Sequence, residues 1–402
     1  MNNHGRKAWA AREGVVSSPA LFARTLTARN AGLACAMVLI AACKPAAEAP
    51  LGPSPSFMLL QAEGAADSLP LVTPVKGTDG AAANVTAALN DGFAAELLRT
   101  VYVTQQYIQN APGSQPASAR ALAWAKDATP FVLNAPQPTG RGVALRGPWL
   151  GGPLLRPQTN YIGVPLNKEP RQLVPELARY IGSYLGSAAA TAGAFDAETS
   201  PLASAYAKAM EVIAREWKGT AGGGMRPQLS EVDGNLFAGV RENRFVLDAQ
   251  GKLRPPLDLL GDEGVAATVF YRWFQDKQLM KTVADDAFYA PLKSDRIPPG
   301  VSPAVVLGTF RNLQMKVLGA WIDAVRAGHG PKNIADLVRL YGQRFPAERA
   351  AVIRLFVATT YGATVKPPGL SPKPEDATTT LAALTALSDD VISGKTPLLS
   401  LP

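Results

Sequence analysis

The stretch Gly32–Cys43, GLACAMVLIAAC, divides this chain before any fold has to be considered. About a dozen apolar residues fall short of the roughly 20 that a helix needs to cross a bilayer. They match instead the apolar core of a secretory signal, which is cut at a small-residue site and never joins the mature fold. Arg6, Lys7, Arg12, Arg24 and Arg29 precede it against the single acid Glu13, the positive flank that such a segment keeps on the cytoplasmic side. A buried core helix is the plainer alternative. Against it, Cys43 runs directly into Lys44-Pro45-Ala46-Ala47 and a tract rich in Pro and Ala, where a core helix would end abruptly. Residues 1–42 are therefore read as a removed signal peptide, 43–83 as a Pro/Ala-rich tether, and 84–402 as the folded domain.

The end of the run, Ile40-Ala41-Ala42-Cys43, resembles the lipobox of bacterial lipoproteins: an aliphatic residue, two small residues, and the cysteine that is lipidated and becomes the new N-terminus. The resemblance implies that Cys43 carries lipid, palmitate included, and that a membrane is a partner through it. Lys44 follows in place of the Asp that favours the inner membrane in similar enterobacterial lipoproteins. The expected location is the periplasmic face of the outer membrane.

Residues 43–402 are long enough to bury a full hydrophobic core without covalent staples. Half of the formal net charge of +8 leaves with the signal, and no run of Lys or Arg survives in the rest, so nucleic acid is not an expected partner. Of two cysteines, Cys35 is removed and Cys43 is lipidated; of two histidines, His4 is removed and His329 stays. A mature chain with one imidazole and no free thiol cannot build a Cys/His zinc site, and any Ser-His-acid triad would have to use His329. His329 sits in Arg326-Ala327-Gly328-His329-Gly330-Pro331, where it reads as an exposed turn residue rather than a catalytic base or pH switch. No Gly-x-Ser-x-Gly elbow precedes it, and Gly222-Gly223-Gly224 lacks the Lys-Ser/Thr of a phosphate loop. No cofactor or metal is expected.

Along the folded part, Leu89, Phe93, Leu97, Val101 and Ile108 recur at helical spacing, with Asn84 as a cap. A short helix at 119–127 follows. Phe131-Val132-Leu133, Val143-Ala144-Leu145 and Tyr161-Ile162-Gly163-Val164 are brief apolar runs among Pro and Gly, so the β region is placed at about 131–165. Helices are expected at 172–186, 200–217, 230–243, 262–281, 302–327, 333–344, 347–360 and 375–392. The run at 302–327, with Val306, Phe310, Leu313, Val317, Trp321 and Val325, has the clearest apolar stripe. The fold class is α+β and mainly helical, a small β region followed by a helical bundle.

Residues 172–186, QLVPELARYIGSYLG, resemble the active-site helix of zincin metallopeptidases, whose pattern is HExxH with a glycine often three residues on. Aligned so, Glu176 takes the place of the water-activating glutamate and Gly182 that of the glycine, while Pro175 and Arg179 stand where the metal histidines would be. Leu229–Ala238 resembles the downstream helix that supplies a glutamate ligand in gluzincins, with Glu231 in its place. Asp262–Tyr271, with Glu263, resembles an acidic, glycine-led helix found further on. The resemblance covers about 131–345 and implies a zincin-like core with a vestigial site of Glu176, Arg179, Glu231 and Glu263. Ordinary zincin catalysis is excluded by the residues themselves: proline has no side-chain donor, and arginine is a permanent cation. Pro175 would mark a helix's first turn, and Glu176 and Arg179 stand one turn apart, close enough for an ion pair. The plainer reading makes Leu173, Leu177, Tyr180, Ile181, Tyr184 and Leu185 a core face and the two charges a solvated pair.

Two further groups carry less. Arg241, Glu242 and Arg244 could clamp a carboxylate but read more simply as a mixed-charge helix end, and Trp149, Trp273 and Trp321 read as core. The expected function is a non-catalytic binding or scaffolding module with a pseudo-metallopeptidase core and an envelope protein or cell-wall ligand as partner. The alternatives are a metal-independent hydrolase of cell-wall material, using Glu176 with Glu231 or Glu263 as paired carboxylates, or a subunit of an envelope secretion or conjugation machine.

Overall fold

A computed structural model describes residues 57–63, 71–75, 80–90, 92–110, 129–133, 139–140, 161–164, 170–191, 200–217, 248–250, 254–292, 300–362, 364 and 377–398. The chain divides into residues 1–49 and 50–402, and everything described belongs to the second unit. The signal segment, Cys43, the helix expected at 119–127, Val143–Leu145, Trp149, Gly222–Gly224, and the helix expected at 230–243 with Glu231, Arg241, Glu242 and Arg244 lie outside the described residues.

Five strands make one sheet: β1 (Phe57–Glu63), β2 (Leu71–Pro74), β3 (Thr129–Leu133), β4 (Thr139–Gly140) and β5 (Tyr161–Val164), in the order β2-β1-β3-β5-β4. β1, β3 and β5 are parallel, and the edge strands β2 and β4 run antiparallel to their neighbours. The sheet therefore begins inside the stretch read as a tether, and strands are not confined to 131–165. Averaged composition hid the cause: Phe57-Met58-Leu59-Leu60 is a continuous apolar run, the pattern of a strand in a parallel sheet. Its first residue packs edge-on against Phe131 with ring centroids 6.1 Å apart.

The described part is mainly helical. Its helices are α1 (Gly80–Asn90), α2 (Gly92–Asn110), α3 (Pro170–Thr191), α4 (Pro201–Glu216), α5 (Pro256–Gly261), α6 (Glu263–Gln275), α7 (Lys277–Lys281), α8 (Asp286–Tyr289), α9 (Pro303–Leu307), α10 (Thr309–Arg326), α11 (Ile334–Arg344), α12 (Arg349–Thr359) and α13 (Ala377–Ile392). Three expected helices are broken. Gly92 and Gly308 take positive φ angles of 42° and 73°, a region that favours glycine, and separate α1 from α2 and α9 from α10. Asp276 separates α6 from α7 by accepting from the amides of Gln278 and Leu279, so it caps the next helix instead of continuing the last. Asn84 lies within α1 and is not its cap, because Ala81, Ala82 and Ala83 extend the helix backwards.

α10 is buried on nearly every face, polar residues included. Each of those is answered from a neighbouring element. The Arg311 guanidinium donates to both oxygens of Glu96 on α2 at 2.9 and 2.8 Å. Gln314 accepts from Thr100 at 2.8 Å and donates to Tyr206 on α4 at 3.0 Å. Asn312 accepts from Tyr289 on α8 at 2.7 Å and donates to the Thr282 carbonyl at 3.0 Å. The fully buried Lys316 Nζ lies 2.8 Å from each oxygen of Glu348 and donates to the Leu279 and Thr282 carbonyls at 2.9 and 2.8 Å. Tyr341 on α11 donates to the same carboxylate at 2.6 Å. Burial pulls the Lys316 ammonium below the usual lysine range, and Glu348 pulls it back up.

Removing one member of such a pair leaves a bare buried charge. Lys316→Met is expected to cost about 3–5 kcal/mol in urea unfolding. Adding Glu348→Gln, which still accepts from Tyr341, should recover part of that loss; a Lys316→Met variant as stable as the parent would show that the pair contributes nothing.

Candidate functional site

α3 and α4 pack against each other through their smallest residues. A Cβ placed on Gly186 would lie 2.9 Å from the Ala203 Cα, and one on Gly182 would lie 3.0 Å from the Ala207 Cα. Only glycine opposite alanine allows backbones this close. Ser200 starts α4 at the right place for the seam: its hydroxyl accepts from the Ala203 amide at 3.1 Å, and Pro201 occupies the first turn, where its missing N–H costs nothing. Gly182, aligned above with the zincin glycine, thus has a packing role.

One turn beyond Gly182 and Ala207 the seam changes character. Arg179 on α3 meets Glu211 on α4, Nε to carboxylate 3.8 Å. Glu211 also accepts from Arg215, one turn along its own helix, at 2.6 Å. The Glu211 side chain is only 8% exposed and so cannot stay charged without these partners, whereas Arg179 is 46% exposed. Glu176 lies half-buried beside Tyr180, whose hydroxyl is pushed up to about 12, first by burial and then by the Glu176 charge and hydrogen bond. Pro175 is buried and falls inside α3, which begins at Pro170; it does not mark the first turn, and it has no N–H to offer the Arg171 carbonyl.

Glu263, the first residue of α6, is held by α4 as well. It accepts from the Ser204 hydroxyl and from Lys208 Nζ, the latter at 2.8 Å. Ser204, Lys208, Glu211 and Arg215 fall at i, i+4, i+7 and i+11, one stripe of α4. Arg179 and Glu263 therefore approach the same stripe from two flanking helices, and Lys208 and Glu211 are only about 4.5 Å apart along the axis. Of the four residues expected to form a vestigial site, Glu176, Arg179 and Glu263 are brought to this layer, and Glu231 lies outside the described residues.

The residue that sequence reasoning missed is Glu211. The signal was present: a single charge in Ala209-Met210-Glu211-Val212-Ile213, on a face where an unpaired carboxylate would be unsustainable. Chemically the stripe is a ladder of alternating signs, each carboxylate already facing a cation or a hydroxyl. Among the described residues no group of three or more His, Cys, Asp or Glu is placed to hold a metal ion. His329 is exposed in its turn, with Nδ1 3.1 Å from the Ala327 carbonyl oxygen. Trp273 and Trp321 are core residues.

Compared with protein-family models, with curated proteins and with solved structures, the chain finds no match. Among the described residues no helix is long and apolar enough to cross a membrane.

Glu211→Gln should cost about 1.5–3 kcal/mol, the scale of a buried hydrogen bond to a charged group, because two guanidiniums lose their anion. Arg179→Ala should cost less than about 1 kcal/mol, since that ion pair is long and half exposed. Urea unfolding of both variants checks the order; a larger loss for Arg179→Ala would mean that the seam depends on the guanidinium.

Proposed function

We propose that the chain is a lipid-anchored envelope protein, held at the periplasmic face of the outer membrane through Cys43, whose helical domain acts as a non-catalytic binding or scaffolding module on a pseudo-zincin core. The observation that carries the non-catalytic reading is the pairing of Arg179 with Glu211. At the turn of α3 where a zincin would hold its metal, a permanent cation is already neutralised by a buried carboxylate of the neighbouring helix. Pro175, at the other ligand position, offers no donor atom. Zinc does not fit these residues, and no hydrolytic step is routed through them.

The paired-carboxylate hydrolase gains no support from Glu263. Its carboxylate is already engaged by Lys208 at 2.8 Å and by the Ser204 hydroxyl, contacts that tie α6 to α4. The location rests on Ile40-Ala41-Ala42-Cys43 and the basic flank before it.

Two experiments test the two halves of the proposal. Cells expressing the full chain should incorporate radiolabelled palmitate into it, and Cys43→Ala should lose the label and leave the membrane fraction; an unlabelled, membrane-free parent overturns the anchor. For the core, Pro175→His with Arg179→His rebuilds HExxH beside Glu211. Zinc at about a hundred times its dissociation constant should stabilise that double variant by about 2.7 kcal/mol and leave the parent unchanged. A folded double variant indifferent to zinc would end the zincin comparison.

A further inference from the structure

A concavity lies where the C-terminal ends of α4 and α6 meet α7 and the start of α10, and neither Glu176 nor Arg179 lines it. Its volume is about 470 Å³, within the range of small-molecule sites. The sequence builds it at a helix end. α4 stops after Glu216 because Trp217 takes an extended backbone, φ −65° and ψ 126°. The indole then packs against Phe93, with centroids 4.9 Å apart, and against Phe310 at 5.3 Å and 70°. Trp217, Phe274, Met280 and Phe310 supply apolar wall, and Trp217 and Met280 keep part of their surface accessible.

Glu216 and the exposed Gln275 are the polar part of the lining, and Glu216 is the one charged side chain among the described residues that form it. The Tyr271 hydroxyl, 2.9 and 2.7 Å from its two oxygens, fixes the carboxylate in place. A phenol is a neutral donor, so it orients the charge without cancelling it. Gln275 Nε2 lies 3.5 Å from the same group. An anchored carboxylate beside aromatic walls is complementary to a cation with an apolar body: the charge meets Glu216 and the ring faces, and the body displaces water from Trp217 and Met280. An anion would meet the carboxylate unfavourably, and a neutral ligand would desolvate it without compensation.

We propose that this cavity binds a small organic cation, an alkyl- or arylalkylammonium, between Trp217 and Glu216. The site does not depend on the pseudo-zincin reading, since it uses neither Glu176 nor Arg179.

The test titrates the full chain with 2-phenylethylammonium and, separately, with 3-phenylpropionate, of similar size and opposite charge, using saturation-transfer NMR and calorimetry. The ammonium should bind saturably and the carboxylate at least about tenfold more weakly, with Glu216→Gln reducing ammonium affinity by about tenfold. Because Glu216→Gln also disturbs Tyr271, Gln275→Lys is the second variant: it sets a cation beside Glu216 on an exposed position. Its thermal melting should match the parent's while ammonium binding is lost. Failure of the parent to saturate by about 10 mM, equal binding of the two probes, or undiminished binding in Gln275→Lys would overturn the proposal.

Discussion

Lys316 and Glu348 form a charge pair buried away from the surface, and much of the C-terminal half is arranged so that the pair can exist. Desolvating two ions costs several kcal/mol each, and their attraction offsets this only when every remaining donor and lone pair is used. Here the Leu279 and Thr282 carbonyls and the Tyr341 hydroxyl complete the set. These groups come from α7, the segment after it, and α11, while Glu348 sits in the short turn before α12. If any of them is displaced, the lysine is left short of an acceptor or the carboxylate short of a donor, so the pieces are expected to form and melt together.

The same logic extends along α10. Apolar burial alone would let such a helix rotate or slide with little penalty, because one leucine contact resembles another. Arg311, Asn312, Gln314 and Lys316 remove that freedom, since each has a partner on a different neighbour and would be stranded by a rotation. The layer of α3, α4 and α6 uses a milder version, in which the buried Glu211 is answered by the largely buried Arg215 and by the exposed Arg179. In its ladder Lys208 answers Glu263, and Arg179 and Arg215 answer Glu211. By contrast, Glu216 at the end of α4 has only neutral donors among its hydrogen-bond partners, which is why that end of the helix is the place to look for a ligand.

What could be read in advance followed physical scale. α3, α4, α11 and α12 were legible because apolar spacing, caps and Pro or Gly boundaries all pointed the same way. The breaks at Gly308 and Asp276 were not, because the apolar stripe continues across both and periodicity does not register a single positive φ or one capping carboxylate. β1 was lost to averaging over its Pro/Ala surroundings. At the site, Glu176, Arg179 and Glu263 could be named from a pattern, yet the partner of Arg179 could not. Glu211 is 32 residues away, and only the way α3 and α4 cross brings the two together. Trp217 and Phe310 likewise become one wall only after folding.

That crossing has a consequence for how the chain can change. Along Gly182, Gly186, Ala203 and Ala207 the two backbones lie close together, and apart from Met210 against Gly182 these contacts offer little side chain that could repack to absorb a shift. Inserting or deleting one residue in the middle of either helix would turn everything beyond it by about 100° and swing the small residues out of the contact. Side chains here can be exchanged within narrow size limits, but the spacing between them cannot drift. Length variation in this part of the molecule is confined to the segments before α3, between α3 and α4, and after Trp217.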